Sequence, residues 1–257
     1  MARKLSTRKR PDRGKHMIKE QLKIEEGVFE NRTMMALEKM FTHNIISRLD
    51  FMIAKGKEAS VYAADAGSGV ADSVVILKIF RMETSSFAKR IDYMIGDPRF
   101  DKVDTRNMTE VVKVWCKKEY GNLRIAESVG VHAPMPYYFR DNVLAMEFIG
   151  TDDMPSQTLK NTMLDDPEKV LDMILADIKK LYSADLVHAD MSEYNILIKE
   201  GVPYLIDFGQ AVVIHHPNAQ AFLERDVHNI LFYFEKKYGI KRDYAAVLKE
   251  IKDVKKV

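Results

Sequence analysis

Two aspartates and an asparagine in the second half of the chain constrain its fold more than any other feature. Residues 188–195 read His-Ala-Asp-Met-Ser-Glu-Tyr-Asn, and residues 206–209 read Ile-Asp-Phe-Gly. A short predicted β-hairpin separates these two stretches, so Asp190, Asn195 and Asp207 can converge on one point. Carboxylate and amide oxygens are the hard ligands that Mg²⁺ prefers, and Asp190 would then be left to accept a hydrogen bond from a hydroxyl group. A turn cluster of Asp and Asn without chemistry is the alternative.

The hydrophobic pattern predicts an α+β chain with two lobes that meet near residue 150. The N-lobe is expected to be β-rich with one long helix, and the C-lobe to be mainly helical. The predicted strands are 51–54, 58–64, 74–80, 135–139, 143–148, 196–199 and 204–206. The predicted helices are 31–48 with Asn31 as its cap, 109–129, a helix that begins at Asp166-Pro167, and 222–237.

The same pattern divides the chain into segments. We expect a basic arm at 1–30, an extension helix at 31–49, the N-lobe at 50–149 and the C-lobe at 150–257. Residues 81–108 are polar, show no sustained period and contain Ser85, Ser86 and Thr105. A connection of this length predicts a flexible insertion within the N-lobe, and its hydroxyl groups are candidates for autophosphorylation.

Composition excludes several classes of protein. Apolar residues make up 46% of the 257 residues, which is enough for a sizeable core, and the single cysteine, Cys116, excludes an internal disulfide framework and a multi-cysteine metal site. There is no apolar run near the roughly 20 residues of a membrane span and no signal-peptide pattern at the start, so we expect a soluble, cytoplasmic protein without a membrane partner.

Charge is distributed unevenly along the chain. Residues 1–19 carry a net charge of +7, whereas the remaining residues carry −5. Such an arm is either a solvated, disordered terminus or a segment that binds the phosphate backbone of a nucleic acid.

The N-lobe contains a lysine and a turn that match the downstream acidic motif. Lys78 ends the apolar strand Val-Ile-Leu-Lys, which is similar to the Val-Ala-Ile-Lys element of kinases whose lysine holds the α- and β-phosphates of ATP. The preceding hairpin, 54–61, reads Ala-Lys-Gly-Lys-Glu-Ala-Ser-Val and keeps small residues where a backbone must approach phosphate. We expect Gly56, Lys57, Ser60 and Val61 to bind the nucleotide.

Helical periodicity selects a carboxylate partner for this lysine. Five residues of the helix 109–129 share one stripe, namely Val112, Trp115, Cys116, Glu119 and Leu123. Glu110 lies instead on the face of Lys113 and Lys117. A carboxylate within an apolar stripe is costly unless it is paired, so Glu119 is the predicted partner of Lys78; a stripe-edge glutamate that reaches solvent is the alternative.

Together these motifs resemble the RIO family of atypical protein kinases and ATPases, and its first subfamily in particular. The most telling stretches are His-Ala-Asp-Met-Ser-Glu-Tyr-Asn, Gly-Lys-Glu-Ala-Ser-Val-Tyr, Met-Glu-Phe-Ile-Gly and Ile-Asp-Phe-Gly-Gln-Ala-Val. The resemblance covers roughly residues 30–240. It implies a two-lobed, protein-kinase-like fold with a truncated C-lobe that lacks an activation segment, preceded by a helical extension.

The resemblance also implies an activity and its site residues. The activity is ATP- and Mg²⁺-dependent phosphoryl transfer to Ser/Thr, or ATP hydrolysis, in small ribosomal subunit maturation, with Mn²⁺ as a possible substitute metal. Asp190 and Asp207 are the implied catalytic residues, and Asn195 and Asp207 the implied metal ligands. Met146, Glu147 and Ile149 correspond to the segment that binds adenine, and Asp226 to the aspartate that anchors the catalytic loop. The basic arm would bind pre-ribosomal RNA, and no DNA partner is expected.

Two other classes of protein remain open from the residues. A small-molecule kinase of the aminoglycoside or choline type shares the His-x-Asp-x4-Asn core, but the 50 residues after Asp207 leave little room for its usual substrate pocket. A nucleotide-binding scaffold without catalysis is disfavoured because Lys78, Asp190, Asn195 and Asp207 are all present.

Overall fold

The computed structural model describes residues 30–82, 90–100, 103–151 and 154–255. The predicted basic arm lies outside these residues except for Glu30. Ser85 and Ser86 of the predicted insertion also lie outside them.

The N-lobe is built on a five-stranded antiparallel sheet with the strand order β1-β2-β3-β5-β4. The strands are β1 (Ile46–Lys55), β2 (Ala59–Ala66), β3 (Val74–Phe80), β4 (Pro136–Arg140) and β5 (Val143–Glu147). All five correspond to predicted strands, with ends that differ by a few residues. Helix α1 (Asn31–Thr42) packs on one face of the sheet, and helix α2 (Met108–Ser128) packs on the other.

The extension helix is shorter than predicted. It ends at Thr42 instead of continuing to residue 48 or 49, and Glu30, not Asn31, is its N-cap and makes no side-chain capping bond. The chain turns at Asn44, whose φ of 55° is left-handed, and Gly67 packs so closely there that a Cβ atom would lie 2.2 Å from the Asn44 carbonyl oxygen. The apolar residues after this turn belong to β1.

The long helix α2 forms as its stripe predicts. Its N-cap is Asn107, whose side chain accepts the backbone amide of Glu110, so the helix begins slightly before the predicted residue 109. All five residues of the predicted stripe are buried, and Lys118 and Asn122 are buried as well. The helix therefore carries polar groups into the core that spans both lobes.

The described residues of the C-lobe form three helices and several short strands. The helices are α3 (Pro167–Ser183), α4 (Ala219–Tyr238) and α5 (Tyr244–Lys252), of which α5 was not predicted. The strands are β6 (Gly150–Thr151), β7 (Met154–Pro155), β8 (Gln157–Thr158), β9 (Leu186–Val187), β10 (Ile196–Lys199), β11 (Val202–Leu205) and β12 (Val212–Val213). The antiparallel hairpin β10–β11 is the predicted one, and Asp166 caps α3 as predicted. Within the described residues, none of the helices combines the length and the apolarity needed to cross a bilayer.

The described part of the insertion packs against the rest of the protein, and its flexibility stays a prediction. Met94 and Asp97 are buried, and Arg99 pairs with Asp97 at 2.7 Å while its other terminal nitrogen donates to Asn122 Oδ1 of α2 at 2.8 Å. On the C-lobe side, Tyr93 stacks on the ring of Phe222. An apolar anchor and an ion pair to the buried Asp97 hold this segment, although it has no periodic sequence pattern.

Candidate active site

The loop between β9 and β10 brings Asp190 and Asn195 together. Asn195 Nδ2 donates to the backbone oxygen of Asp190 at 2.8 Å and to its Oδ2 at 3.0 Å. Ala189 has a φ of 63°, a left-handed conformation that a non-glycine residue rarely adopts and that surrounding contacts must maintain.

Helix α4 supplies the contacts that hold this loop. Asp226 accepts the backbone amides of Ala189 at 2.7 Å and Met191 at 2.9 Å, and Asn229 donates to the Met191 carbonyl at 3.1 Å. Arg225 donates to the Ala189 carbonyl. The backbone is thus held on both sides of Asp190, at Ala189 and Met191, and the resemblance had assigned Asp226 to this anchoring role.

Lys78, Glu119 and Asp207 meet between the two lobes. Lys78 Nζ on β3 lies 2.7 Å and 2.9 Å from the two carboxylate oxygens of Glu119 on α2, and 3.0 Å from Asp207 Oδ1. The Lys78–Glu119 contact agrees with the choice of helix face made from periodicity. Asp207 follows β11 with a φ of 64°, a second left-handed, non-glycine residue in this region.

Burial and charge act in opposite directions on these groups. Burial by itself would lower the pKa of Lys78, but Asp207 and Glu119 outweigh it and raise that pKa above its usual range. Burial would raise the pKa of Asp207, but Lys78 outweighs it and the pKa is lowered. At neutral pH the lysine is therefore an ammonium and Asp207 is a carboxylate.

The pKa of Asp190 is raised, first by burial and then by the negative charge of Asp207, although its hydrogen bond from Asn195 opposes the rise. His188, which begins the motif, is buried with its ring edge against Phe208, and burial lowers its pKa to about 4. His188 is therefore neutral at physiological pH and serves as a packing group whose Nε2 contacts the Ile206 carbonyl at 3.1 Å.

The sequence did not reveal the polar side chains of α2 that hold the segment after Asp207. Lys118, which is 1% exposed, donates to the carbonyl oxygens of Gly209 and Ala211, the first at 2.8 Å. Asn122 donates to the carbonyls of Phe208 and Ala211 at 2.8 and 3.0 Å. A lysine beside an apolar stripe ordinarily reaches solvent, so no signal in the spacing distinguished Lys118 from its exposed neighbours.

The nucleotide-binding residues predicted in the N-lobe do not all face the same way. Val61 is paired with Lys78 across β2 and β3 and so shares its side of the sheet, whereas Ser60 is paired with Ile79 on the opposite side. There Ser60 Oγ accepts a hydrogen bond from Arg81 at 3.5 Å. The structure therefore does not bring the Ser60 side chain into the site, which corrects that assignment.

The other predicted nucleotide-binding residues lie in the β1–β2 turn and at the end of β5. Gly56 donates its amide to the Ala59 carbonyl at 2.9 Å in the β1–β2 turn, and Lys57 is exposed at the tip of this turn. Met146 is paired with Ile76 on β3, and the amide of Glu147 is bound to the Met135 carbonyl. Ile149 is buried directly after this strand.

Gln210 also enters the site and was missed by the sequence reasoning. Its Nε2 donates to Asp190 Oδ2 at 3.0 Å. The only signal was its place three residues after Asp207, which does not by itself predict a contact with the other aspartate. Gln210 and Asn195 together leave the Asp190 carboxylate oriented by two amide donors.

Comparisons with known proteins agree with this arrangement. A family model described as "RIO domain" matches residues 60–247. The RIO-type serine/threonine-protein kinase Rio1 of Haloferax volcanii is 37% identical over 217 residues, which cover 84% of this chain and 73% of the relative. Rio1 of Methanocaldococcus jannaschii is 36% identical over 219 residues, 85% of this chain and 73% of the relative. Human serine/threonine-protein kinase RIO1 is 37% identical over 213 residues, 81% of this chain but 37% of the relative.

Solved structures support the fold independently. The Rio2 kinase–ADP/Mg²⁺–phosphoaspartate complex from Chaetomium thermophilum superposes with a TM-score of 0.67 at 22% identity, over 87% of this chain and 67% of that chain. The molecule thus has the protein-kinase-like fold, with a β-sheet N-lobe and a helical C-lobe. The chain belongs to the RIO domain family and, within it, to the Rio1-like kinases.

Proposed function

We propose that this kinase transfers the γ-phosphoryl group of ATP to serine or threonine hydroxyls of proteins, with Mg²⁺ as its metal. The observation that carries the proposal is the contact of Lys78 Nζ with both Glu119 and Asp207, because it joins the sheet, α2 and the C-lobe at one cation. A lysine held in this way is suited to position phosphates.

The N-lobe and the connecting strand offer a nucleotide site. Lys78 would hold the phosphates, with Gly56 and Lys57 on the turn beside them, and Val61 shares the side of Lys78. Met146 lies on the same side of the sheet through its pairing with Ile76. Because the Glu147 amide is already bound, the Glu147 carbonyl and the Ile149 amide are the groups we assign to the adenine edge.

The acidic residues fit a divalent cation with few protein ligands. Among the described residues there is no group of three or more His, Cys, Asp or Glu side chains arranged to hold a metal. The negative charge of Asp207 nevertheless raises the pKa of Asp190, because the two carboxylates repel each other. A shared cation would relieve this repulsion. Asn195 and Asp207 are the ligands we assign to Mg²⁺, which takes most of its remaining ligands from water and substrate phosphates; we expect Mn²⁺ to substitute. When bound, the metal neutralises phosphate charge.

We assign Asp190 to bind the hydroxyl group of the acceptor. Its carboxylate is oriented by Asn195 and Gln210, and its raised pKa favours accepting a proton from a hydroxyl group. Asp226 acts only through the backbone of the loop and is a positioning residue.

Phosphoryl transfer from γ-labelled ATP tests the proposal. Incubation with Mg²⁺ and a generic protein substrate should yield phosphoserine or phosphothreonine, and both Asp190→Ala and Asp207→Ala should abolish the label while the variants remain folded by circular dichroism. Transfer to aminoglycosides or choline, with no label on protein, would favour the small-molecule kinase. Binding of ATP without transfer to any acceptor, water included, would favour the scaffold.

We place the activity in small ribosomal subunit maturation in the cytoplasm. The support is the family resemblance together with the charge of +7 in residues 1–19, since a pre-ribosome presents mostly phosphate backbone. Co-sedimentation of the full chain with small-subunit precursors should weaken steeply as salt is raised. A variant with the arm's lysines and arginines changed to glutamine should lose both the binding and its salt dependence, and unchanged binding would contradict the role of the arm.

ATP hydrolysis is a second candidate activity. The solved Rio2 kinase complex from Chaetomium thermophilum contains a phosphoaspartate. By the family resemblance, Asp207 is the carboxylate that we assign to accept the phosphoryl group in this chain. Hydroxylamine-sensitive label on the wild type, lost in Asp207→Asn, would support hydrolysis through an acyl phosphate. Label that resists hydroxylamine and maps to Ser85, Ser86 or Thr105 would instead support autophosphorylation of the insertion.

A further inference from the structure

Arg90 reaches the active-site cleft from the insertion, and neither the motifs nor the proposed mechanism uses it. It begins the helical turn at residues 90–93. Its guanidinium carbon lies 4.8 Å from the centre of the Trp115 ring on α2, and its side chain is only 15% exposed. Its ion-pair partner is Glu58. A planar cation is thus fixed between α2 and the β1–β2 turn.

Arg90 lies beside the segment that follows Asp207. The Trp115 ring under its guanidinium packs against Gly209, where an added Cβ atom would lie 2.7 Å from Trp115 Nε1. Trp115 is also one helical turn from Glu119, the partner of Lys78. Arg90 is therefore held next to the elements that carry the charged groups of the site.

A cavity of about 560 Å³ opens beside Arg90. Its lining includes Glu58 on the N-lobe side and Gln210, the residue that contacts Asp190, on the C-lobe side. A group held in this cavity would lie beside the Arg90 guanidinium and beside Gln210, the residue that orients the Asp190 carboxylate.

Glu58 supplies the negative charge that pairs with Arg90 within the chain. It lies in the same turn as Gly56 and Lys57, and its backbone oxygen is held by the Arg81 amide at 2.8 Å. Its carboxylate is the ion-pair partner of Arg90. A phosphate group accepts a guanidinium through two oxygens, as a carboxylate can, but carries more negative charge, so it can replace this carboxylate.

We propose that Arg90 is a further catalytic residue, which exchanges Glu58 for the transferred phosphoryl group when the nucleotide binds. The inference rests on the proposed function. In the transfer, the acceptor oxygen forms a bond to the γ-phosphorus, and the bond from this phosphorus to the β,γ-bridging oxygen breaks with its electron pair remaining on ADP. The acceptor proton passes to Asp190. Arg90 loses neither proton nor electrons and only donates hydrogen bonds to the transferring oxygens, as an arginine supplied within the same chain.

Binding of two nucleotides separates this role from a structural one. ADP lacks the γ-phosphate, so Arg90→Ala should leave its affinity within about twofold while weakening a non-hydrolysable ATP analogue about tenfold or more. Single-turnover transfer from ATP should fall about a hundredfold to a thousandfold. Arg90→Lys keeps the charge but not the planar fork, so its transfer rate should lie between those of the wild type and Arg90→Ala. It serves as the test if the alanine variant does not fold.

Glu58→Gln supplies the opposite prediction. This variant lacks the carboxylate that pairs with Arg90, so its transfer rate should equal that of the wild type. Its affinity for the ATP analogue should equal or exceed that of the wild type. A purely structural Arg90–Glu58 bridge would instead make Glu58→Gln as harmful as Arg90→Ala. Arg106→Ala is the control, because Arg106 follows in the same connection and its side chain is 91% exposed.

Three results would overturn the inference. They are transfer by Arg90→Ala within about threefold of the wild type, equal losses of ADP and analogue affinity, and matching defects in Glu58→Gln and Arg90→Ala. Failure of the wild type to transfer phosphate would contradict the proposed function instead. In that case the comparison of ADP with the ATP analogue would still decide whether Arg90 binds the γ-phosphate.

Discussion

The ammonium nitrogen of Lys78 lies 3.0 Å from Asp207 Oδ1, although 129 residues separate the two in the chain. The lysine also contacts both carboxylate oxygens of Glu119, so one cation is shared by two carboxylates. On our proposal, phosphates take over part of the Lys78 contact while Asp207 turns to the metal. Lys78, Glu119 and Asp207 thus form one network of charges that joins the N-lobe to the C-lobe.

We predict that Lys78 and Glu119 act as one unit. Lys78→Met and Glu119→Gln should each reduce phosphoryl transfer, and the double variant should be about as slow as the slower single variant, because each side chain orients the other. A double-mutant cycle on single-turnover rates measures this coupling. Glu110→Gln, on another face of α2, is the control. Strictly additive losses would mean that the two side chains act independently and that the ion pair between them does not matter for catalysis.

We predict that Asp207 governs the metal dependence of nucleotide binding. For the wild type, the affinity for ADP should rise when Mg²⁺ is added, whereas for Asp207→Ala it should be nearly the same with and without the metal. The reason is that the variant lacks the carboxylate assigned to the ion, and it also leaves Lys78 with one partner fewer. Titration calorimetry with and without EDTA measures both cases. A full Mg²⁺ effect in the variant would contradict the assignment.

We predict that Asp226→Asn slows transfer and leaves nucleotide affinity nearly unchanged. An asparagine has one acceptor oxygen and an NH₂ group, so it cannot accept both loop amides in the way that Asp226 does. We also expect a loss of about 1–3 kcal/mol in the free energy of unfolding, since a buried amide loses its partner. The exposed Glu235→Gln on the same helix is the control. Equal losses of nucleotide affinity and turnover would indicate general disorder of the site instead of a displaced loop.

We predict that Lys118 makes the stability of the protein depend on pH. Burial, followed by the charge of Arg99, lowers its pKa to about 7. The unfolded chain, with an ordinary lysine, therefore binds more protons between pH 7 and about 10, so the Lys118 contribution to unfolding free energy rises with pH across this window. The contribution is on the order of one kcal/mol per pH unit at most.

Lys118→Met removes this contribution. Its free energy of unfolding should rise less between pH 7 and 10 than that of the wild type or of Lys117→Met, the exposed neighbouring control. Urea titrations at several pH values provide the comparison. Parallel curves for all three proteins would show that Lys118 is not buried as a neutral amine.

The sequence predicted the parts of the fold that depend on local pattern. A local pattern of a few residues was enough to predict the strands, from their alternation, and the start of α3, from Asp166-Pro167. The apolar stripe predicted α2 in the same way. Periodicity also distinguished Glu119 from Glu110, because burial of a carboxylate demands a partner. The family motifs identified Asp190, Asn195 and Asp207 before any geometry was known.

The sequence did not predict contacts that depend on distant segments. Helix α1 stops at Thr42 because glycines of another turn pack on Asn44, and no local signal marks that stop. Lys118 and Arg90 belong to polar patterns that ordinarily face solvent, yet Lys118 binds buried carbonyls and Arg90 lies on Trp115. Ser60 was assigned from its place in a motif, whereas strand pairing puts its side chain on the other face.

The most direct test of the account is the effect of Asp190→Asn on single-turnover transfer, measured beside nucleotide affinity. The variant keeps the shape of the side chain but cannot accept the acceptor proton, so transfer should fall about a hundredfold or more. The affinity for Mg²⁺·ADP should stay within about twofold, because Lys78 and Asp207 remain. Asp172 is a largely exposed residue of α3, and the control variant Asp172→Asn should have the transfer rate and the nucleotide affinity of the wild type. A transfer rate near that of the wild type in Asp190→Asn would contradict the account.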